Sequence, residues 1–229
     1  MKYSDIYRLY STSQPKDAIH QALREVSVDD SDEQYEDRSP LHLACQYGDT
    51  EGVKILLERD AEPNTKDANG STPIHILGRT SAGCADEDKL KEIAVVLMEH
   101  GANIPRSAKN TTALIECVRN RHFKMAEAII NSGTRVNSTD LNGENVLFGF
   151  CAASGDIRRD IRFAKKELDE SVQYSYPENK IEEIRSRIAR LEDDGEAAYR
   201  LARRLVEEDK VDPEDKSNSG KTAWDAAIE

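Results

Sequence analysis

Two stretches of this chain share the same order of residue types at a fixed distance. Asp37-Arg-Ser-Pro-Leu-His-Leu-Ala-Cys-Gln-Tyr-Gly48 returns in a degraded form as Asp67-Ala-Asn-Gly-Ser-Thr-Pro-Ile-His-Ile76. Their prolines, Pro40 and Pro73, are 33 residues apart. A period near 33, with a turn followed by two short helices, is typical of a solenoid of stacked repeats. Solenoids present long surfaces to partners, so the pattern favours binding over catalysis.

The repeat frame continues along the chain. The residues that open the predicted first helices are separated by 33, 40, 33 and 77 residues, and they are Pro40, Pro73, Ala113, Val146 and Ala223. Two separations equal the period, and the other two exceed one period by 7 and 44 residues. We therefore expect the second and fourth repeats to carry insertions.

Local signals agree with this frame. Ser39 and Thr72 supply N-cap hydroxyls, and the proline after each has a φ already suited to a first helical turn. Gly48 and Gly155 are predicted to end short first helices. The repeats are separated by predicted tight turns rich in Asn and Gly, at 67–70, 140–143 and 217–220.

On these residues the chain resembles the ankyrin repeat family. The resemblance covers residues 33–155 and 197–229. It implies an all-α fold, an ankyrin-repeat solenoid of helix-turn-helix repeats. One repeat departs from the pattern, with Thr112-Ala-Leu-Ile115 in place of the Pro and His. The matching segments are Ser39-Pro-Leu-His-Leu-Ala44, Gly52-Val-Lys-Ile-Leu-Leu57, Gly70-Ser-Thr-Pro-Ile-His75, Leu97-Met-Glu-His-Gly-Ala-Asn103 and Gly220-Lys-Thr-Ala-Trp-Asp-Ala-Ala227.

We expect residues 1–229 to form a single ankyrin-repeat domain. The second repeat has a short insertion around residues 79–88, and the last segment is either a half-repeat cap or the start of a repeat that continues beyond this chain. The predicted parts are an N-terminal capping repeat with an acidic connector (3–33), repeats at 34–66, 67–106, 107–139 and 140–215, and the C-terminal half-repeat (216–229).

The fourth repeat contains a predicted long inserted antiparallel helical hairpin at about 156–196. Two interpretations stay open. The hairpin is a recognition arm reaching about 25 Å, with Tyr174 and Tyr176 as aromatic anchors at its tip, or it folds back and lengthens the core. Its matched apolar stripes at helical spacing are Ile157, Ile161, Ala164, Leu168 and Val172, then Ile181, Ile184, Ile188 and Leu191.

The formal net charge of −12 limits the classes of partner. Nucleic acid and anionic lipid would be repelled, whereas a basic protein would be attracted. No apolar run approaches the roughly 18 residues that a membrane helix needs. We expect a cytoplasmic protein, with a secreted effector as the alternative. A monomer is expected, and self-association through the hairpin is a further possibility.

The sequence gives little evidence for catalytic or metal-binding groups. His42 and His75 occupy equivalent repeat positions, too far apart at about 10 Å to share one zinc ion. The resemblance implies that they bond turn backbone between neighbouring repeats. The scattered cysteines, Cys45, Cys84, Cys117 and Cys151, are expected to act mainly as small apolar side chains.

Motifs for enzymatic chemistry are missing from the sequence. Gly78 and Gly83 are not followed by the Lys and Ser or Thr of a phosphate-binding loop. Nucleophile-elbow, kinase and dinucleotide signatures are also missing. His20, His100 and His122 show no metal-ligand spacing. We expect no enzyme activity, cofactor or metal; activity housed in the hairpin is the weaker alternative.

The remaining hypothesis is a protein–protein interaction module, an adaptor or inhibitor that binds a protein partner through the concave repeat face, the hairpin or both. The alternative is an acidic immunity or inhibitor protein, or an effector, that engages a basic toxin or host protein. Repeat phase and turn position select the candidates Tyr35, Gln46, Tyr47, Arg79, Thr80, Arg119, Asn120, Ala68, Lys109 and Leu141, and the hairpin adds Tyr174 and Tyr176.

Overall fold

The computed structural model describes residues 2–80, 86–104, 111–174, 176–208, 211–223 and 225, and all regular structure within these ranges is helical. The predicted all-α class is therefore confirmed. The chain divides into two compact units, Met1–Leu141 and Asn142–Glu229.

The first unit is built from short helices that begin where the repeat frame predicts. Pro40, Pro73 and Ala113 are the first residues of three of them. A 3₁₀ turn occupies Glu33–Tyr35. The helices are α1 (Tyr3–Ser11), α2 (Lys16–Glu25), α3 (Pro40–Gln46), α4 (Thr50–Leu57), α5 (Pro73–Gly78), α6 (Glu87–Glu99), α7 (Ala113–Arg119) and α8 (Phe123–Asn131).

These helices form two rows. The odd-numbered helices α1, α3, α5 and α7 pack side by side, and the even-numbered helices α2, α4, α6 and α8 form the second row against them. Leu56, Leu77 and Leu97 have no exposed surface. Fully burying one such side chain contributes about 1.5–3 kcal/mol. α1 and α2 continue the two rows, which supports the interpretation of residues 3–33 as a capping repeat.

His42 joins two neighbouring repeats through hydrogen bonds. The amide and hydroxyl of Ser39 donate to His42 Nδ1 over 3.1 and 2.9 Å. Because Nδ1 accepts, Nε2 carries the ring proton and donates it to Ser71 O, 3.0 Å away in the next turn. This is the turn-backbone bond that the resemblance implied. Thr72 and His75 repeat the same cap, with the Thr72 hydroxyl 2.9 Å from Nδ1.

The second unit consists mainly of two long helices, α9 (Val146–Gln173) and α10 (Glu178–Glu207). They are antiparallel, as two ion pairs between them show. Lys165 pairs with Glu192, whereas Glu167, which lies later in α9, pairs with Arg187, which lies earlier in α10. The seam between them contains the buried side chains Ile157, Ala164, Ile181, Ile184 and Ile188.

Two details of this region were predicted wrongly. Gly155 does not end a short helix, because α9 continues through it to Gln173, supported along its length by α10. Val172 does not continue the buried stripe, because it is 54% exposed and Ser171 takes the seam position. Val172, four residues after Leu168, lies beyond the face of α9 that α10 covers. Ser171, three residues after Leu168, lies within that face.

Two turns of the second unit meet as neighbouring repeats do. The Asn218 amide donates to Asn142 O over 2.6 Å, as the Ala68 amide donates to Glu36 O over 2.7 Å in the first unit. In each pair the donor lies five residues before the first residue of a predicted helix, Pro73 or Ala223. The acceptor lies four residues before the first residue of the preceding predicted first helix, Pro40 or Val146. That residues 140–215 form one repeat with a hairpin inserted between its helices stays a prediction, and a shared register of this kind is what it would produce.

Candidate functional site

A groove of about 530 Å³ in the first unit is the strongest candidate for a binding site. It brings together four of the predicted contact residues, Gln46, Tyr47, Arg79 and Thr80. Below we call it the repeat groove; its lining residues are Lys16, Arg38, Gln46, Tyr47, Gly48, Ile76, Arg79, Thr80, Asp86, Lys89 and Leu90.

The repeat groove follows from the shortness of the first helices. α3 ends at Gln46, and Gly48 then takes a left-handed φ of +59°, which turns the chain back towards α4. α5 ends at Gly78, so Arg79 and Thr80 follow at the same level. The opposite wall is the first turn of α6, where the Asp86 side chain caps the helix by accepting from the Asp88 amide.

Tyr47 is the exposed aromatic residue of the groove, at 40% exposure. Its ring stacks on Tyr10, with centroids 4.8 Å apart and planes within 11°. Tyr10 is fixed in turn, because its hydroxyl donates to Asp49 Oδ2 over 2.8 Å and His20 Nε2 lies 3.0 Å from Asp49 Oδ1. Burial, followed by the charge of Asp49, raises the pKa of Tyr10. Tyr47 therefore stands on a rigid support.

The two arginines of the groove are held by neighbouring groups. Arg38 donates to Gln46 Oε1 over 2.9 Å and pairs with Glu36 at 2.5 Å. Its Nε lies 3.6 Å from the buried carboxylate of Asp67.

Arg79 bridges two repeats in a similar way. It donates from Nη1 to Ser71 Oγ over 2.9 Å and from Nη2 to Glu116 Oε1 over 3.1 Å. Both guanidinium groups are thus oriented before any ligand arrives.

His122 fixes the wall of the groove from behind. Its ring is buried, with Nδ1 2.7 Å from Glu87 Oε1 and Nε2 2.7 Å from Thr80 O. The other Glu87 oxygen accepts the Lys124 amide over 3.1 Å. Sequence reasoning gave His122 no role. The available signal was its position, nine residues after a helix opening, which is also the position of the buried Asp49.

The other predicted contact residues of the first unit lie outside the repeat groove. Arg119 donates to Asp140 Oδ2 over 2.6 Å, and Asn120 donates to Gly78 O over 3.1 Å. Tyr35 is half-buried, its ring 4.3 Å from that of Tyr7. Leu141 is 64% exposed. Lys109 lies outside the described residues.

The turn between α9 and α10 presents the two predicted hairpin tyrosines. Tyr174 is 66% exposed and Tyr176 is 42% exposed. The ammonium of Lys180 lies 4.3 Å from the Tyr176 ring centroid, a cation–π contact that orients this ring. The tip therefore offers one loosely surrounded aromatic side chain and one that already has a partner.

The cysteines show no reactive arrangement within the described residues. Cys45 and Cys117 are fully buried, and burial raises the pKa of both thiols, which keeps them protonated and unreactive. Cys151 is half-buried beside an apolar cavity of about 740 Å³ in the second unit, whose lining includes Leu147 and Phe150. Cys84 lies outside the described part of the chain.

Within the ranges that the structure describes, no three His, Cys, Asp or Glu side chains converge on a point that could hold a metal ion. Among the described helices, none combines the length and the apolar character needed to span a membrane.

Comparison with known proteins points to one family. The family model described as ankyrin repeats in many copies matches residues 23–77. The chain is 46% identical over 48 residues to a transient receptor potential cation channel subfamily A member 1 homolog from Caenorhabditis elegans, covering 21% of this chain and 4% of that protein. It is 31% identical over 134 residues to neurogenic locus notch homolog protein 1 from Mus musculus, covering 58% and 5%.

A third relative is transient receptor potential cation channel subfamily A member 1 from Homo sapiens, 34% identical over 85 residues, covering 36% of this chain and 7% of that protein. The chain therefore corresponds to only a small fraction of the length of these relatives. The similarity concerns their repeats.

Proposed function

Because the chain is an ankyrin-repeat protein, and such repeats are generally protein–protein interaction modules, we propose that it is a non-enzymatic binding module that takes a segment of a protein partner into the repeat groove. It would act as a cytoplasmic adaptor or inhibitor and as a monomer. The observation that carries this proposal is Tyr47, an exposed ring on a fixed support beside the oriented guanidinium of Arg79.

The chemistry of these two residues suits a binding site. Tyrosine and arginine are enriched among the residues that dominate binding energy at protein interfaces. A side chain that is already ordered loses less conformational entropy when the partner arrives, at a saving of about 0.5–1.5 kcal/mol for each one. Stacking on Tyr10 orders Tyr47, and the bonds to Ser71 and Glu116 order Arg79.

The hairpin tip is a second candidate contact. Tyr174 is a large aromatic side chain with two thirds of its surface exposed, at 66%. The seam of the hairpin accounts for its apolar stripes without any partner, but it does not account for this exposed ring. We propose that the tip adds contacts to the same partner or binds a separate one.

The acidic inhibitor or effector role is the alternative, and it rests on the net charge of −12. Its basic partner would be attracted by the surface as a whole. That attraction is screened by salt, so the association rate of such a partner should fall steeply between low and physiological ionic strength. A rate that does not respond to salt would contradict this alternative.

The groove and the tip can be separated by a matched pair of substitutions. Short random peptides displayed on phage are selected on the full chain and retested on Tyr47→Ala and Tyr174→Ala, with folding checked by circular dichroism. Peptides that bind the repeat groove should lose about tenfold or more in affinity on Tyr47→Ala alone. Selection that yields only peptides indifferent to Tyr47→Ala, or no peptides, would reject the groove as the binding site.

A further inference from the structure

We infer that the repeat groove selects an acidic segment of its partner, a stretch that carries Asp or Glu side chains around an apolar side chain. The inference rests on the proposed function, because it names the chemistry of the ligand for the same groove. It also reverses the expectation from net charge, which favours a basic partner for the chain as a whole.

The first observation is the sign of the charges that line the groove. Four cationic side chains face one carboxylate, that of Asp86; the four are Lys16, Arg38, Arg79 and Lys89. In the whole chain acidic residues outnumber basic ones by 44 to 32. The lining therefore has the opposite balance to the protein that contains it.

The second observation is the placement of the carboxylates that hold the arginines. Glu36 and Asp67 pair with Arg38, and Glu116 pairs with Arg79, yet none of these three carboxylates lies in the lining. The bonds of Arg79 to Ser71 and Glu116 occupy two of the five N–H donors of its guanidinium group. The pairing orients the cation and leaves donors for a carboxylate of the ligand, which is the geometry that arginine recognises well.

The third observation is the apolar part of the lining. Ile76 and Leu90 are buried side chains that contribute to the lining, and Tyr47 adds a partly exposed aromatic ring. A ligand made only of charged residues would leave this part unmatched. An apolar or aromatic side chain flanked by carboxylates would satisfy both parts of the lining.

The charges that line the groove and the net charge of the whole chain act on a bound segment over different distances. At physiological ionic strength the screening length is about 8 Å, so exposed carboxylates elsewhere on the surface act weakly on a segment already in the groove. The lining cations act at contact distance and are screened less. The overall negative charge should slow the approach of an acidic partner at low salt without preventing its binding at physiological salt.

The test uses the phage-selected peptides whose affinity falls about tenfold or more on Tyr47→Ala. Their composition is compared with that of the unselected library, and their affinity is measured for the double charge reversal Lys16→Glu/Lys89→Glu. Both lysines are exposed, so the fold should tolerate the change. Lys91→Glu is the matched control, since Lys91 is exposed on the same helix as Lys89 but lies outside the lining.

The expected result is enrichment in Asp and Glu, a loss of about tenfold in affinity on the double reversal and little change on Lys91→Glu. Peptides that need Tyr47 but are neutral or basic, or that bind the double reversal unchanged, would overturn the acidic specificity and leave the proposed function standing. If no peptide needs Tyr47, the proposed function itself fails, and the inference fails with it.

Discussion

Nδ1 of the buried His122 lies 2.7 Å from Glu87 Oε1, and Nε2 of the same ring lies 2.7 Å from Thr80 O. Thr80 precedes residues 81–85 and Glu87 follows them, so one imidazole holds both sides of the short insertion. The wall of the repeat groove depends on this contact because Thr80 belongs to its lining.

We expect His122→Leu to lower the free energy of unfolding by about 2–3 kcal/mol, because it removes two part-buried hydrogen bonds, one of them to a carboxylate. Glu87→Gln should cost less, since the amide oxygen of glutamine still accepts from Nδ1 and only the Lys124 amide loses its acceptor. Urea denaturation of the two variants gives both values. Equal stability of His122→Leu and the wild type would show that the contact does not hold the insertion.

His42 should make stability depend on pH. Burial is the main cause that lowers the pKa of His42 from 6.5 to about 4 in the folded chain. Between pH 6.5 and 4 His42 therefore binds a proton in the unfolded chain but not in the folded chain. The contribution of the neutral ring is present in full above pH 6.5 and is lost progressively as the pH falls to about 4, by roughly 3 kcal/mol in all.

The measurement is the free energy of unfolding across this range for the wild type and for His42→Asn. The difference between the two proteins should shrink as the pH falls, since the variant has no group at this position to titrate. A difference that stays constant from pH 7 to pH 4 would contradict the assignment of the pH dependence to His42.

The sequence predicted the first helices well because their signals are local. Pro40 and Pro73 follow N-cap residues and open α3 and α5, and Val146 follows Asn145, whose side chain accepts the Leu147 amide. The continuation of α9 through Gly155 was not predictable in this way. A glycine weakens a helix by only about 1 kcal/mol, and packing of the following residues against α10 outweighs that local preference.

Part of the candidate site was also predictable. Position within the repeat selected Gln46, Tyr47 and Arg79, which the structure brings into one groove. It missed Lys16 and Lys89, which reach the groove from helices of the second row. No local sequence pattern predicts which helix N-terminus will face which helix C-terminus, because the packing of the two rows decides it.

Gly52 and Gly155 form a matched pair for testing helix packing. A Cβ added at Gly52 would lie 2.6 Å from Asp49 Oδ2 and 2.9 Å from the Tyr10 hydroxyl oxygen. At Gly155, inside α9, the added carbon would have no neighbour within 4 Å.

Helix propensity favours alanine at both positions by about 1 kcal/mol. Gly52→Ala should nevertheless destabilise by about 1–3 kcal/mol, because the clash disturbs the buried Tyr10–Asp49 hydrogen bond. Gly155→Ala should stabilise by about 0.5–1 kcal/mol. Urea denaturation gives the change in the free energy of unfolding for both variants. Changes of the same sign would mean that crowding does not account for glycine at position 52.

Ser171 offers a test of the hairpin seam. Its side chain is 1% exposed, and its hydroxyl has no hydrogen-bond partner among the described residues. A buried hydroxyl without a partner costs about 1–3 kcal/mol, and alanine is the better helix former. Ser171→Ala should therefore raise the free energy of unfolding of the second unit by about 1 kcal/mol or more.

Ser186 is the matched control for this change, since it is an exposed serine in the middle of α10. Ser186→Ala should stabilise only by the difference in helix propensity, about 0.5 kcal/mol. The gain from Ser171→Ala beyond that of Ser186→Ala measures the unpaired hydroxyl alone. If Ser171→Ala is destabilising instead, the hydroxyl has a partner in solution, such as a buried water, and the seam of α9 and α10 is less dry at this end than its apolar neighbours suggest.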